Sequence, residues 1–436
     1  MPIDNPSPAF DCSLLGMGYV NPKARTGIFR AVQQTLLALL EQPGLKLQLV
    51  GFNQEPSPWY RLATKLYLQE QQFDLKAAAP ALNSPWDSYL TYPISIQKAT
   101  LENFSSFDLL RKAVVVMQVP FDGAINVLPQ PRPNLESWDV YHSPYFPLPE
   151  VVKAVGIPRI ITIYDLTPVR YPELCSGRTL QQFNRTLASI DCDRDWVICI
   201  SNATKQDFCD HTGMDANRVF VTPLAASDRF QPISSSDEIA PVLRRYHLGD
   251  TEYLLSLATL EPRKNLALLV RCFLKLLHEN PSLDLKLVLV GISGWKNSSI
   301  FEAVNTHPDL ADRIIFTGFL PDQDLNAIYS GALAFVYPSL HEGFGLPPLE
   351  AMKCGIPVIT SNVSALPEVV GDAGIMVNPN DEDALGQALL RVVNSPQLRA
   401  SLSQKGLARA ACFSWARCAK ETMKVYRTAV NHRDGT

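Results

Sequence analysis

Short apolar runs alternate with amphipathic stretches along most of the chain. Candidate strands are 45–52, 114–118, 138–142, 159–164, 196–201 and 218–222 in the first half, and 253–259, 285–291, 313–318, 333–338, 356–360 and 374–378 in the second. These runs are continuously apolar rather than strictly alternating, as in parallel strands covered on both faces. Between them apolar positions recur at helical spacing, for example 266, 269, 270, 273, 274 and 277. Strands alternating with helices predict an α/β chain with doubly wound sheets. The polar, turn-rich stretch 233–252 divides the two series and reads as a hinge. At 436 residues the chain exceeds what one core usually holds. Two Rossmann-like domains facing across a cleft follow. Residues 53–137 are proline-rich and poorly periodic, and read largely as loops.

The densest candidate chemistry is HEGFGLPPLEAMKCGIPVITS, residues 341–361. Glu342 and Glu350 flank a Gly343-Phe344-Gly345 turn, where the strand LAFVYPS hands over to a helix beginning near Leu346. Pro347 and Pro348 suit a first helical turn, whose N–H groups lack intrahelical partners. The remaining free amides and the positive end of the helix dipole favour a diphosphate. Glycines at 343 and 345 let backbone approach a ligand closely. Glu342 then faces a sugar, while Glu350, in the first helical turn, accepts hydrogen bonds from ribose hydroxyls. Upstream, residues 254–277 read as strand, turn and helix, with Arg263 and Lys264 in the turn. Alone, either segment has an ordinary solvated reading. Both turns open at the carboxyl ends of parallel strands, where doubly wound sheets bind ligands, and together they offer cations for a diphosphate beside acids for sugars.

Charge narrows the partners. A net charge of −4 with 19% charged residues provides no basic field for nucleic acid. No apolar run approaches the ~18 residues of a membrane span, and the polar, proline-bearing N-terminus does not read as a signal peptide. A cytoplasmic protein is expected, with peripheral membrane contact left open. The nine cysteines show no paired spacing and read as reduced thiols. Asp191, Asp193 and Asp195 of DCDRD have the alternate spacing of a divalent-metal motif. They precede a strand instead of following one, so a solvated turn is expected and no metal is assigned.

These segments, with DVYHSPYFPLP (139–149), ITIYDLTPVRYPE (161–173), ICISNATKQDF (198–208), RIIFTGFLPDQDLNAIYSGA (313–332) and SALPEVVGDAGIMVNPND (364–381), resemble family 4 retaining glycosyltransferases of the GT-B type. The likeness runs from about 139 to 430, with KARTGIFRAV (23–32) resembling the family's first glycine-bearing turn. It implies an acceptor-side domain over 1–235, a nucleotide-sugar domain over 236–412, and a helix in 413–436 crossing back to the first domain. It also implies a metal-independent hexosyl transfer that keeps the anomeric configuration, from a GDP-mannose or UDP-glucose type donor to a saccharide or lipid-linked acceptor, with no cofactor. By resemblance, Lys264 and Arg263 take the diphosphate. Glu342 with Gly343, Phe344, Gly345 and Leu346 holds the donor sugar and phosphates, Glu350 the ribose, and Tyr164, Asp165 and Gly27 line the cleft. Two positions depart from the family pattern. Tyr164 stands where many relatives carry histidine, and tyrosine donates a hydrogen bond without serving as a near-neutral base. Thr259 stands where many relatives carry the phosphate-binding arginine. Competing readings are a phosphorylase or nucleotide-sugar synthase on the same fold, and a non-catalytic sugar-nucleotide-binding homologue.

Overall fold

The computed structural model describes residues 6–21, 25, 27–51, 58–73, 82–84, 87–103, 134–249 and 251–433. The strand expected at 114–118 lies outside them. The first sheet comprises β1 (Pro8–Asp11), β2 (Gln48–Val50), β3 (Val140–Ser143), β4 (Arg159–Ile163), β5 (Trp196–Cys199) and β6 (Val219–Val221), in the order β2-β1-β3-β4-β5-β6. The second comprises β7 (Glu252–Leu257), β8 (Leu285–Val290), β9 (Ile314–Gly318), β10 (Ala334–Tyr337), β11 (Val358–Ser361) and β12 (Gly374–Val377), in the order β12-β11-β10-β7-β8-β9. Every pairing is parallel. Helices cover both sheets, as the continuous apolarity of the strands requires: all residues of β3, β4, β5, β10 and β11 are buried. The result is the two-sheet, doubly wound architecture expected, with a cleft between its halves.

Strand order determines where a site can form. In the second sheet β7 pairs with β10 on one side and β8 on the other, so the chain leaves β7 and β10 in opposite directions. That switch point opens a crevice at the carboxyl ends of β7 and β10. The two turns singled out from the sequence follow those two strands.

Three readings change. Pro8–Asp11 is a strand in the interior of the first sheet, hydrogen-bonded to β2 and β3, and the sequence pattern gave no sign of it. Proline opens the strand, where a missing N–H is tolerated. Asp11 closes it, buried, with its carboxylate accepting from the Tyr141 hydroxyl at 2.6 Å. The 233–252 stretch is not simply turns: Ser236–Arg245 forms a helix, anchored by Arg245 on Asp324 at 2.8 Å. Within 53–137, Pro58–Glu70 and Asp87–Asn103 are helices.

The last helix, Trp415–Arg433, returns to the first sheet. Its Ala419, Met423 and Tyr426 share a core with Phe10, Val140 and Ile160. Tyr426 Oη lies 2.8 Å from His142 Nδ1, and the other ring nitrogen lies 2.8 Å from Thr162 Oγ1.

Candidate active site

The turn after β7 and the turn after β10 meet in a buried charge cluster. Lys264 Nζ donates to Glu342 Oε1 at 2.6 Å and to the Tyr337 hydroxyl at 2.7 Å. Arg263 pairs with Glu342 Oε2 at 2.9 Å and with Glu261 Oε1 at 2.9 Å, and donates to the His341 carbonyl at 2.8 Å. Ser339 Oγ donates to Glu342 Oε1 at 2.6 Å. Lys264 and Glu342 are 8% and 9% exposed, so these contacts form away from bulk water.

Burial disfavours the charge on Glu342, but Arg263 and Lys264 overcome it and hold the carboxyl well below its usual range. Burial also works against Arg263, and the two glutamates hold it charged above the ordinary arginine value. Lys264 is pulled below the ordinary lysine value, by burial first and then by Arg263, with Glu342 and Glu261 offsetting part of this. Glu261, Arg263, Lys264 and Glu342 together carry two positive and two negative charges. In this state Glu342 is the counter-ion of both cations and does not stand free for a sugar.

After Glu342 the chain turns through Gly345, whose φ of +117° suits glycine, into the Leu346–Lys353 helix with prolines in its first turn. Phe344 points into the core, edge-on to Phe413 at 5.8 Å, leaving only its backbone toward the turn. Glu350 is the fifth residue of that helix, one turn deeper than expected. It is 7% exposed and accepts from Tyr329 Oη at 2.9 Å. Burial raises its pKa to about 7, with Arg30 opposing.

The first sheet faces this turn through the end of β4. A Cβ on Gly343 would stand 1.7 Å from the Tyr164 carbonyl oxygen and 2.9 Å from Asp165 Cβ. Gly343 is therefore required by the approach of the opposite lobe, a different reason from the ligand contact expected from the sequence. Thr204 Oγ1 donates to the Gly343 carbonyl at 3.2 Å, and Thr167 Oγ1 lies 3.0 Å from His341 Nδ1. Asp165 Oδ1 accepts from Thr167 N at 2.9 Å. Burial raises the pKa of the Tyr164 phenol, which keeps its proton. A cavity of about 270 Å³ opens beside Tyr164 and Asp165, lined also by Tyr145, Arg178, Gln182 and Phe183.

Not every expected residue joins the cluster. Gly27 is exposed at the start of the Gly27–Leu40 helix, and a Cβ there would meet nothing within 4 Å, although its neighbour Ile28 lines the cavity. The DCDRD turn is not uniformly solvated: Asp195 is buried in a two-pronged pair with Arg159, at 2.8 and 2.6 Å, while Asp191 pairs with Lys153 at 3.1 Å. Tyr337, Ser339, Glu261 and His341 were missed. Tyr337 and Ser339 had one legible signal: two hydroxyls at alternate positions at and just past the end of an otherwise apolar strand, a spacing that puts both on one face.

Residues 244–409 match the family described as glycosyl transferases group 1. The chain is 35% identical over 289 residues to O-antigen chain mannosyltransferase B of Escherichia coli, covering 66% of this chain and 74% of that one. It is 35% identical over 226 residues to the serotype-specific mannosyltransferase WbdA of Escherichia coli, covering 52% of this chain and 28% of WbdA. Among solved structures, the Anabaena protein HepE in complex with UDP and glucose superposes with a TM-score of 0.61 at 16% identity, over 96% of this chain and 99% of that one, a likeness of fold. A relative 35% identical and covered over 74% of its length, and a family model matched over residues 244–409, show that this two-lobed chain belongs to the glycosyl transferases group 1 family.

Proposed function

We propose that the protein is a retaining, metal-independent hexosyltransferase that moves a hexose from a nucleotide-activated donor, mannose from GDP-mannose before glucose from UDP-glucose, to a saccharide or lipid-linked acceptor. The observation that carries this reading is the Lys264–Glu342 contact at 2.6 Å, buried and directly beside the turn against which Tyr164 packs. A sugar nucleotide departs as a diphosphate, so catalysis needs charge more than a protonating acid. Arg263 and Lys264 supply that charge without a metal. Because Glu342 pairs with both cations beforehand, and Glu261 with Arg263, donor arrival exchanges one anion for another: the diphosphate takes the cations, and Glu342 is released to the hydroxyls of the transferred sugar. Glu350 takes the ribose. The cavity beside Tyr164 and Asp165, with aromatic walls and hydrogen-bonding groups, receives the acceptor within the first domain (1–235). The second domain (236–412) holds the donor, and the 413–436 segment ties it back to the first.

The two Escherichia coli relatives support mannose as the sugar, and the name of the first supports a saccharide chain as the acceptor. No helix among the described residues is long and apolar enough to cross a membrane. The protein works in the cytoplasm, and a lipid-linked acceptor would bring it to the membrane surface. The test is a panel of nucleotide sugars scored by thermal shift and slow hydrolysis, since a ligand at 100 times its Kd stabilises by ~2.7 kcal/mol. GDP-mannose should shift the protein most and be consumed in EDTA. NMR of the product should show the donor's anomeric configuration. Consumption only with phosphate or a free sugar phosphate would favour a phosphorylase or synthase instead, and no turnover of any donor would favour a non-catalytic homologue.

A further inference from the structure

We propose that Glu368 is a positioning residue for the transfer, whose carboxylate clasps the first turn of the Asn202–Thr212 helix and holds the cleft shut. Glu368 belongs to the Leu366–Val370 turn of the second lobe, and its partners to the first. Its Oε2 accepts from Asn202 N at 2.8 Å and Asn202 Nδ2 at 2.9 Å, and its Oε1 from Ala203 N at 2.5 Å. The first amides of a helix have no partner within it. Here Ser201 Oγ caps Thr204 N at 3.0 Å, and the other lobe satisfies the two amides before it. Bonds from backbone N–H to a carboxylate are charge-assisted, and the positive end of the helix dipole favours an anion at this place. When the lobes separate, those amides revert to water, so the three bonds exist only in the closed form.

The clasp is coupled to the site by the same helix turn. Thr204, next to Ala203, donates to the Gly343 carbonyl at 3.2 Å, adjacent to Glu342. Glu368 itself hydrogen-bonds none of Lys264, Glu342 or Tyr164. Its effect is on register: docking Glu368 brings the β4 end, with Tyr164 and Asp165, against the turn that presents Glu342 to Lys264. A misplacement of about 1 Å at a reacting pair costs on the order of 100-fold in rate, so a loosened clasp lowers turnover without touching the reacting groups.

The inference rests on the transferase reading above, and its test separates the two. In the full chain, Glu368→Ala removes the acceptor. Asn202→Pro removes two of the three donors, and proline is well placed there: the position is the first of the helix, and Ser201 before it is extended (φ −152°, ψ 163°). Both variants should lose about tenfold or more in kcat, with donor Kd, measured by calorimetry with the donor selected above, within about twofold of wild type. Glu368→Gln, which keeps an acceptor oxygen, should recover part of the loss. Small-angle scattering of the donor-bound protein should give a larger radius of gyration for Glu368→Ala and Asn202→Pro than for wild type. Wild-type kcat and scattering in the folded variants would overturn the proposal, and Asn202→Pro alone decides it if Glu368→Ala does not fold. If the wild-type protein transfers no sugar, the transferase reading fails, while the same scattering comparison made on the ligand-free proteins, in which the three bonds are already formed, still decides the clasp.

Discussion

Lys264 Nζ lies 2.6 Å from Glu342 Oε1 across 78 residues of sequence, and both side chains are buried. The pair is one edge of a four-charge cluster that is neutral as it stands, so its cations are preorganised but already occupied. Removing the lysine leaves Glu342 its bond to Arg263, and the fold should persist. Lys264→Ala should lower turnover by about 10²–10³-fold while circular dichroism shows native secondary structure. Steady-state turnover within about threefold of wild type would contradict the role proposed for Lys264.

Gly343 gives a second, purely steric expectation. A methyl group there would stand 1.7 Å from the Tyr164 carbonyl oxygen, and the atoms it meets, the Tyr164 carbonyl and Asp165 Cβ, are not the far end of a flexible side chain that could yield. Gly343→Ala should hold the lobes apart: transfer falls more than about tenfold, while calorimetric donor binding, proposed above for the second lobe, should persist. Transfer at the wild-type rate, or loss of donor binding along with transfer, would contradict it.

Glu350 predicts a pH dependence. Its folded pKa is raised by burial from an ordinary value of 4.5 to about 7, so the carboxylate that would accept ribose hydroxyls forms only as pH rises through about 7. Donor Kd should tighten from about pH 6 to about pH 8, and Glu350→Gln should flatten that profile. The sign for stability is opposite. Between 4.5 and about 7 the folded protein keeps a proton that the unfolded chain releases, so this group's contribution to stability diminishes as pH rises through that window. Melting temperature against pH, compared between wild type and Glu350→Gln, checks it.

Arg159 and Asp195 are 1% and 3% exposed at their side chains and pair through two hydrogen bonds. Arg159→Met strands a buried carboxylate and should cost about 3–5 kcal/mol in urea unfolding. Asp193→Asn, on the exposed part of the same turn, should change stability by less than about 0.5 kcal/mol. Equal effects from the two would mean that the DCDRD turn acts as one unit.

The sequence by itself determined the secondary structure of the second lobe, the presence of a cation turn and a glutamate turn, and the helix at the C-terminus. Continuous apolar runs and helical periodicity report which faces are buried, and short-range motifs report what the backbone does nearby. Neither reports which element lies alongside which. Tertiary structure decided that β10 pairs with β7, and only that pairing brings Glu342 to Lys264 and makes it a counter-ion instead of a free acid. It decided that Gly343 yields space to Tyr164, and that Asp11 can end an interior strand because Tyr141 donates to it. Each of these depends on contacts between residues distant along the chain, and burial turns those contacts into a requirement, since a polar or charged group withdrawn from water must find its partner wherever the fold supplies one.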